Sequence, residues 1–349
     1  MLALENIYKD FDDFHIKDVS LKVTEGEYTV ILGKSGTGKT LILEMIAGFI
    51  KPDYGRIWLQ NEEITNKKIT NRDVGLVFQD YAIFPHKTVF GNIAYPIKHK
   101  KNQKAKVLEL ATQTGIDHLL HRFPSTLSGG EVQRAVLART LAAEPKVLLL
   151  DEPLTSLDVQ YKKELQSLLR NLNRQGQTIV HVTHDYEEAL SLADNVAVMQ
   201  NGSIIQQGEV HDVFRNPANK FVADFVGIRN FFYGTIENDS KSGYKHVKID
   251  NDIAIAIAEQ SVQSTRCIVT VNAGNIILSE EKLNSTALNN FYGSVREVIP
   301  SSQGMEVMVD IGVDIAVIVT KESCKRLSIE PGKKLWLSFK ASAVSVNEL

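Results

Sequence analysis

The sequence predicts an α/β domain over about the first 230 residues, followed by a smaller all-β region. Three short apolar runs, at residues 28–32, 147–150 and 178–182, are bounded by polar residues or glycine, as strands of a covered parallel sheet are. Between the second and third runs, residues 162–172 place four leucines on one face of a helix: Leu165, Leu168, Leu169 and Leu172. This order of strand, helix and strand is typical of an α/β core.

The chain changes character after about residue 230. Residues 216–225 predict a helix that leads out of the first domain, with Pro217 in its first turn. Beyond it, short alternating strands such as 305–311 and 315–319 are separated by Gly, Ser and Asn turns. The run NFFYGTI at 230–236 resembles NNFYGSV at 289–295, which indicates either two similar β lobes or a chance similarity. The predicted domains are 1–230, 231–284 and 285–349.

The composition limits the partners of the chain. Its 349 residues include 39 Lys and Arg against 42 Asp and Glu, a net charge of −3, so no global positive field attracts nucleic acid or anionic lipid. The acidic start predicts no signal peptide, and no apolar run approaches the roughly 18 residues of a membrane-spanning helix. Cys267 and Cys324 are expected to be buried thiols in a reducing compartment. We therefore expect a cytoplasmic protein whose membrane role, if any, requires a partner.

The motif GKSGTGKT at residues 33–40 matches the phosphate-binding loop pattern, between a predicted strand and a helical stretch at 41–48. Glycines let backbone N–H groups surround a phosphate, and the helix N-terminus adds a favourable dipole. Lys39 is expected to reach the β- and γ-phosphates of ATP, and the Thr40 hydroxyl to bind Mg²⁺. A plain glycine-rich turn is the alternative. The predicted nucleotide loop consists of Gly33, Lys34, Ser35, Gly36, Thr37, Gly38, Lys39 and Thr40.

Two carboxylates, Asp151 and Glu152, follow the apolar run at 147–150. The carboxyl ends of sheet strands border the crevice where ligands bind. Asp151 is therefore predicted to hold Mg²⁺, and Glu152 to position and polarise the water that attacks the phosphate. Because apolar strands often end in acidic residues, this motif gains its weight from the phosphate loop that precedes it.

A second anion-binding pattern occurs in LSGGEVQ at residues 127–133, before a helical stretch at 134–143. Here the chain resembles the ABC ATPase family, whose signature motif is LSGGQ or LSGGE. The resemblance implies a P-loop NTPase fold, an ABC cassette with a helical subdomain, that works as a homodimer. In that family the signature of one subunit closes over ATP held by the other; a plain helix cap is the alternative here. The matching residues are Ser128, Gly129, Gly130 and Glu131.

The resemblance covers residues 1 to about 230 and supplies further expectations. Gln79 matches the glutamine that contacts Mg²⁺ and water and senses the transmembrane partner. Asp158, in the run 156–158, matches the loop at the dimer interface, and His184 matches the switch histidine that contacts the γ-phosphate. Phe11 occupies the place of an aromatic residue that stacks on adenine, with two other aromatic residues nearby, Tyr8 and Phe14.

The resemblance also implies transport. Repair members of the family carry a long coiled coil, but this chain has no sustained heptads. Ribosome-acting members usually carry two cassettes and exporters commonly carry fused membrane spans, whereas this chain has one cassette and no such span. Residues 81–93 are similar to the stretch YxLFPHxTVxxNI of importers, whose groove accepts a coupling helix of the permease, here near Gln79 to Pro85. The implied partners are transmembrane permease subunits and a periplasmic or extracellular substrate-binding protein, with the chain at the cytoplasmic face of the membrane.

The tail resembles an all-β, OB-like module called Mop-like or TOBE, which binds molybdate or tungstate. The similar segments are 286–289, 293–295, 318–323, 331–332 and 339–344. The predicted oxyanion donors are Asn289, Thr320, Ser323, Lys340 and Ser342. Leu288 replaces an arginine of the module, and residues 272–276 read NAGNI instead of RPENI.

The sequence therefore favours the ATPase of a molybdate or tungstate importer with a regulatory anion-binding tail. Two alternatives stay open. One is an importer of sulfate, ferric iron, polyamine or sugar with a structural tail. The other is a non-enzymatic anion-binding protein whose cassette is inactive, which the presence of Lys39, Asp151, Glu152 and His184 opposes.

Overall fold

The computed structural model describes residues 2–80, 82–155, 157–238, 245–250, 253–258, 264–301 and 303–348. Two residues of the predicted motifs, Tyr81 and Ser156, therefore lie outside the described residues. The chain divides into two compact units, Met1–Val213 and Phe214–Leu349, so the division falls before the predicted boundary at residue 230. None of the helices in the described segments has the length and apolar character needed to span a bilayer.

The first unit alternates strands and helices. In chain order its elements are β1 (Leu2–Asp10), β2 (His15–Val23), β3 (Tyr28–Leu32), α1 (Lys39–Ala47), β4 (Tyr54–Leu59), β5 (Glu62–Glu63), β6 (Val74–Val77), α2 (Val89–Ala94), α3 (Gln103–Gln113), α4 (Gly129–Ala142), β7 (Val147–Asp151), α5 (Val159–Arg174), β8 (Thr178–Thr183), α6 (Tyr186–Leu192), β9 (Asn195–Gln200) and β10 (Ser203–Glu209). Helix α7 (Val210–Arg215) contains the division between the two units.

A six-stranded sheet in the order β10-β9-β3-β8-β7-β6 forms the centre of this unit. Five strands are parallel, and β10 is an antiparallel edge strand. The three predicted apolar runs are confirmed as β3, β7 and β8, which are buried along their whole length, and the predicted helix at 162–172 is confirmed as α5. Because β3, β7 and β8 are parallel neighbours, the residues that follow them meet at one edge of the sheet.

An antiparallel sheet in the order β2-β1-β4-β5 packs with α1 and the central sheet around one hydrophobic core. Ile7, Val19 and Ile57 from this sheet are fully buried. The buried Arg72 guanidinium donates to the carbonyls of Met45 (2.7 Å) and Ile46 (2.9 Å) at the end of α1. These carbonyls have no partner within a helix, so Arg72 stabilises the end of the helix that carries the phosphate loop. The helical subdomain consists of α2, α3 and α4, which pack on one another.

A histidine lies inside the central sheet. His181 on β8 is fully buried, and its Nδ1 atom lies 3.0 Å from the hydroxyl of Tyr28 on β3. Burial lowers the pKa of His181 from 6.5 to about 3, and burial raises the pKa of Tyr28 well above 10. The imidazole is therefore neutral, and its Nδ1 atom shares a hydrogen bond with the Tyr28 hydroxyl.

Acid is expected to destabilise the protein through His181. The unfolded chain takes up a proton on this histidine near pH 6.5 and the folded chain only near pH 3, so stability falls as the pH decreases below 6.5. Between pH 7 and pH 5 the loss is about 2 kcal/mol. Denaturant titrations of the protein and of its His181→Gln variant at both pH values measure this difference. A free energy of unfolding that changes equally in both proteins would contradict the expectation.

The second unit is built mainly from strands. Its elements are α8 (Lys220–Phe225), β11 (Asn230–Asn238), β12 (Lys245–Lys248), β13 (Ala254–Ile257), β14 (Arg266–Val271), β15 (Ile277–Ser279), β16 (Asn289–Ser301), β17 (Gly304–Asp310), β18 (Asp314–Val319), α9 (Lys321–Arg326), β19 (Lys334–Phe339) and β20 (Val344–Glu348). One five-stranded sheet has the order β13-β12-β11-β14-β20, and the other has the order β15-β19-β16-β17-β18.

The two sheets repeat one pattern. The predicted repeat at 230–236 and 289–295 is confirmed, because these residues begin β11 and β16, the central strands of the two sheets. The division at 284 does not separate the sheets, however. Strand β15 pairs with β19 of the second sheet, and β20 pairs with β14 of the first, so each half provides an edge strand to the other. Both sheets share one hydrophobic core, which neither half forms alone.

Two buried asparagines join the halves of this unit. Asn230 of β11 donates its amide to the Ala316 carbonyl on β18 (2.8 Å) and accepts from the Ala316 N–H (2.7 Å). Asn289 of β16 makes the same pair of bonds to Ala256 on β13, at 2.9 and 2.7 Å. Each asparagine thus forms hydrogen bonds with the backbone of an edge strand, β18 or β13, that belongs to the other half of the unit. The side-chain amide of Asn289 is therefore hydrogen-bonded to the backbone of Ala256, which differs from its predicted role as an oxyanion donor.

Two smaller expectations differ from the structure. Helix α8 begins at Lys220, where the side chain of Asn219 accepts from the Val222 N–H at 3.0 Å, so Pro217 lies before the helix and not in its first turn. Of the cysteines, Cys267 is buried whereas Cys324 is only partly buried. Burial raises the pKa of the Cys267 thiol.

Candidate active site

The phosphate loop connects β3 to α1. Gly36 and Gly38 have φ values of +79° and +97°, a conformation that glycine adopts without strain. A Cβ atom on Gly38 would also lie 2.9 Å from the Phe14 ring, and one on Gly33 would lie 2.5 Å from the Met199 carbonyl. The hydroxyl of Thr37 donates to the Lys34 carbonyl at 2.9 Å and closes the loop. Glycines at these positions therefore permit the tight turn at the start of α1.

Lys39 is the first residue of α1 and is almost fully buried. Its ammonium donates to the carbonyls of Gly33 (2.8 Å) and Lys34 (2.9 Å), inside the loop. Burial lowers the pKa of Lys39, while the Glu152 and Asp151 carboxylates act in the opposite direction. A buried cation beside a helix N-terminus is suited to binding the charged oxygens of a phosphate chain.

Asp151 and Thr40 meet where β7 ends. The Thr40 hydroxyl lies 3.0 Å from a carboxylate oxygen of Asp151, which is 4% exposed. Burial raises the pKa of Asp151, and the hydrogen bond from Thr40 opposes that shift. A hydroxyl, a buried carboxylate and the amide of Gln79, which lines the adjacent cavity, are oxygen donors of the kind that Mg²⁺ prefers. These residues therefore fit a magnesium ion.

Glu152 and His184 lie together at the ends of β7 and β8. A carboxylate oxygen of Glu152 lies 3.2 Å from Nδ1 of His184 and accepts from the hydroxyl of Thr155 at 3.1 Å. Glu152 has φ +45°, an uncommon conformation for a residue with a side chain, and its N–H donates to the Val182 carbonyl at 2.9 Å. Strained backbone of this kind is concentrated at functional sites, and here it fixes a carboxylate beside the phosphate loop.

A cavity of about 510 Å³ adjoins the phosphate loop. Phe11 and Phe14 line it together with Lys39, Gln79 and Glu152. The Lys9 ammonium lies 5.8 Å from the centre of the Phe11 ring. Both aromatic rings are thus available to a flat ligand, whereas Tyr8 is not among the lining residues described. The sequence favoured Phe11 over Phe14 as the adenine-stacking residue. It could not show that the Phe14 ring also lies against Gly38 of the phosphate loop.

The signature residues lie at the start of α4. Ser128 is the N-cap, and its hydroxyl accepts from the Glu131 N–H at 3.4 Å. The Glu131 carboxylate accepts from the N–H (2.7 Å) and hydroxyl (2.9 Å) of Ser128, and the backbone bond contributes most to lowering the pKa of Glu131. Gly129 and Gly130 form the first turn, as the helix-cap alternative also requires. None of the four is among the residues described as lining the cavity of their own chain.

Asp158 lies at the start of α5. Its carboxylate accepts from the N–H groups of Gln160 and Tyr161, each at 3.1 Å. Asp158 is exposed, as is the following Val159. The first turn of α5 therefore presents a fixed, accessible surface, a requirement for the interface role that the family resemblance implies.

The segment after Gln79 is held by a buried amide. Asn92 on α2 is fully buried; its side chain accepts from the Phe84 N–H at 2.9 Å and donates to the Phe84 carbonyl at 3.1 Å. The ring of Phe84 lies 4.6 Å from that of Tyr95, which is half exposed, and 4.9 Å from the Arg139 guanidinium. Aromatic side chains are thereby fixed at the surface near the predicted permease-binding segment.

The second unit contains a separate cavity of about 390 Å³. Lys340 and Ser342 line it, together with Ser285 and Thr286. The other three predicted oxyanion donors do not line it: Asn289 binds Ala256, and the Thr320 hydroxyl caps α9 and donates to Ser323 at 3.0 Å. Sequence similarity identified suitable side chains but could not show that some of them have partners within the fold.

Comparisons with known proteins agree with this architecture. A family model described as ABC transporter matches residues 16–155, and one described as TOBE domain matches residues 285–346. The molybdate/tungstate import ATP-binding protein WtpC of Pyrococcus horikoshii is 40% identical over 99% of both chains. The spermidine/putrescine import ATP-binding protein PotA of Thermotoga maritima is 35% identical, over 95% of this chain and 92% of that protein.

A solved structure adds the fold of the first unit. The dimeric post-hydrolysis state of the ATP-binding cassette MJ0796, bound to ADP and Pi, matches with a TM-score of 0.55 and 28% identity, over 60% of this chain and 99% of that one. The phosphate loop, the acidic end of β7 and the histidine after β8 lie at one edge of the corresponding sheet. The chain therefore belongs to the ABC transporter family, as an ATP-binding protein with a C-terminal TOBE domain.

Proposed function

We propose that this ABC ATPase drives the import of molybdate or tungstate, as a homodimer bound to permease subunits at the cytoplasmic face of a membrane. The observation that carries the hydrolytic part is the pairing of Glu152 with His184, 3.2 Å apart beside the phosphate loop. The substrate class is supported by the similarity to the molybdate/tungstate relative, which extends over 99% of both chains and so includes the TOBE domain.

ATP would bind along the edge of the central sheet. Backbone N–H groups of the loop from Gly33 to Gly38 surround the phosphates, and Lys39 exchanges its bonds to the loop carbonyls for bonds to the β- and γ-phosphates. The adenine ring stacks on Phe11 or Phe14, both of which line the cavity. Lys39 therefore provides the charge, and the aromatic rings provide the apolar surface, that a nucleotide requires.

Thr40, Asp151 and Gln79 would hold Mg²⁺, which when bound offsets the negative charge of the phosphates. Glu152 then accepts a proton from the water that attacks the γ-phosphate, because its carboxylate is fixed beside the loop by the backbone of β7 and the Thr155 hydroxyl. His184 donates a hydrogen bond to the γ-phosphate. The distance of 3.2 Å between His184 Nδ1 and the Glu152 carboxylate supports this role for the histidine.

A second copy of the chain would complete the site. Ser128, Gly129, Gly130 and Glu131 of one copy face the γ-phosphate on the other, where the first turn of α4 supplies N–H groups and the positive end of a helix dipole. Asp158 lies in the neighbouring interface loop. The absence of the signature residues from the described lining of their own cavity fits this arrangement, and the matching solved cassette is itself dimeric.

The chain would act on the membrane through partners. The aromatic surface around Phe84 and Tyr95, close to the segment from Gln79 to Pro85, is suited to receive a short amphipathic helix of the permease. Closure of the two cassettes around ATP would draw two such helices together and change the access of the transport pathway. A substrate-binding protein outside the cell would deliver the oxyanion.

The cavity in the TOBE domain is proposed to bind the transported oxyanion, and this binding is proposed to inhibit transport. Lys340 supplies one positive charge, and Ser285, Thr286 and Ser342 supply hydroxyl donors around about 390 Å³. A tetrahedral dianion is held by such donors and one or two cations.

The anion site is tested on the full-length protein by thermal unfolding. Molybdate and tungstate are expected to raise its melting temperature, and sulfate at equal concentration is not. Lys340→Gln should remove the shift, because the cavity loses its charge, whereas Lys334→Gln, an exposed lysine of the same segment, should retain it. Equal shifts with sulfate, or none with any anion, would contradict an oxyanion-specific site.

Transport itself is tested in cells that lack the gene. Uptake of molybdate and tungstate at low external concentration should be lost, restored by the protein and not restored by its Glu152→Gln variant. The second candidate, an importer for polyamines with a structural tail, is favoured by the 35% identity with the spermidine/putrescine relative. Loss of polyamine uptake with normal molybdate uptake would select that candidate instead.

A further inference from the structure

The turn that carries His184 is tied to helix α5. Lys162, in the first turns of α5, places its ammonium 2.7 Å from the Asp185 carboxylate and 2.8 Å from the Glu188 carboxylate. Asp185 directly follows His184, and Glu188 lies one turn further on, in α6. One lysine thus bridges two acidic residues on the segment that holds the histidine.

The remaining bonds of this cluster surround His184 on both sides. The second oxygen of Glu188 accepts from the Thr183 hydroxyl at 2.7 Å, and that hydroxyl accepts from the Asp185 N–H at 3.1 Å. Thr183 precedes His184 and Asp185 follows it. The position of the histidine backbone is therefore set by residues that all connect to Glu188 and Lys162.

Lys162 is also the cation that balances a buried charge. Glu188 is 4% exposed, and the neighbouring His181 is neutral. Burial alone would lower the pKa of Lys162, but its hydrogen bonds to Asp185 and Glu188 outweigh burial and raise it. Removal of the ammonium would leave two carboxylates close together, one of them away from water, so the turn would shift to separate or hydrate them.

We infer that Lys162 is a positioning residue that sets the distance between His184 and the reaction centre, and links it to the interface loop at the start of the same helix. His184 contacts Glu152 at 3.2 Å, so a shift of the turn by a fraction of this distance would break that contact. Asp158 caps α5 four residues before Lys162. A movement of the interface loop on contact with a second copy would therefore reach His184 through the first turn of α5 and Lys162.

Steady-state ATP hydrolysis by the full-length protein tests this role, and it rests on the proposed activity. Lys162→Met should lower kcat about 10- to 100-fold, because small misplacements of a catalytic group have effects of this size, while KM for ATP changes less than about threefold. Lys162→Arg should restore most of kcat, since a guanidinium bridges two carboxylates as well. Lys163→Met, which alters the exposed neighbouring lysine, should change neither parameter.

A double variant separates positioning from folding. Glu188→Gln removes the buried charge that Lys162→Met leaves unpaired, so the Lys162→Met/Glu188→Gln protein should regain the melting temperature but keep the low kcat. Recovery of kcat together with the melting temperature would overturn the inference, as would a normal kcat in Lys162→Met. If the unaltered protein does not hydrolyse ATP, the proposed function fails instead, so the two failures are distinguishable.

Discussion

Glu152→Gln is expected to lower ATP turnover by about two to four orders of magnitude, the contribution typical of a general base. The substitution keeps the size and shape of the side chain and removes its ability to accept a proton. The strained backbone, with φ +45°, is unaffected because glutamine, like glutamate, has an unbranched Cβ atom. ATP should still bind with near-normal affinity, since Lys39 and the loop N–H groups remain.

The same variant should accumulate as an ATP-bound dimer. ATP that is bound but not hydrolysed keeps the two cassettes joined, so size-exclusion chromatography with light scattering should show a dimer with ATP and a monomer without it. Glu187→Gln, an exposed carboxylate in the first turn of α6, is the matched control and should turn over ATP normally. Normal hydrolysis by Glu152→Gln would assign the base to another residue, and hydrolysis by a strictly monomeric protein would contradict the shared site.

Asn289→Leu is expected to destabilise the second unit by about 2–6 kcal/mol. The asparagine is 2% exposed and satisfies both the N–H and the carbonyl of Ala256. A leucine of similar volume leaves both backbone groups buried without a partner, and each such group costs about 1–3 kcal/mol. Asn230→Leu should have a similar effect through Ala316, because the two sites are equivalent.

Tryptophan fluorescence can follow this unit alone. The chain has two tryptophans, Trp58 in the first unit and Trp336 on β19 in the second. In a Trp58→Phe background, denaturant unfolding reported by Trp336 measures the second unit, and Asn284→Leu, which replaces an exposed asparagine there, should change its free energy of unfolding by less than about 0.5 kcal/mol. A change for Asn289→Leu no larger than for this control would mean that the amide bonds contribute little.

The parts of the site that depend on local sequence were predictable. The phosphate loop, the two carboxylates at the end of β7 and the cap of α4 each occupy a few consecutive residues, so glycine spacing and apolar runs identify them. The phosphate loop and the two carboxylates meet at one edge of the sheet, as the rule for parallel strands predicts. The arrangement of Lys162 with Glu188 could not be predicted, because it joins residues 26 positions apart through side-chain contacts that have no repeating pattern.

The same limit explains the differences in the second unit. Alternating strands predict a β fold, but alternation does not show which strand pairs with which. The prediction of Asn289 as an oxyanion donor met a related limit: residue type indicates that an amide can donate a hydrogen bond, whereas the structure places this amide against the Ala256 carbonyl. Lys340 and Ser342 line the same cavity, in agreement with their predicted proximity, because they belong to one short segment between β19 and β20.

The exchange of β15 and β20 bears on how such a unit could arise. The last strand of each half, β15 or β20, pairs with the sheet of the other half. A single half would therefore have one unpaired strand and a sheet with one strand missing, so it is complementary to another half like itself. Two separate, identical short polypeptides with this pattern would assemble by swapping their last strands, with each asparagine forming an intermolecular contact. The present chain contains that symmetric assembly within one covalent molecule, which makes its formation independent of protein concentration.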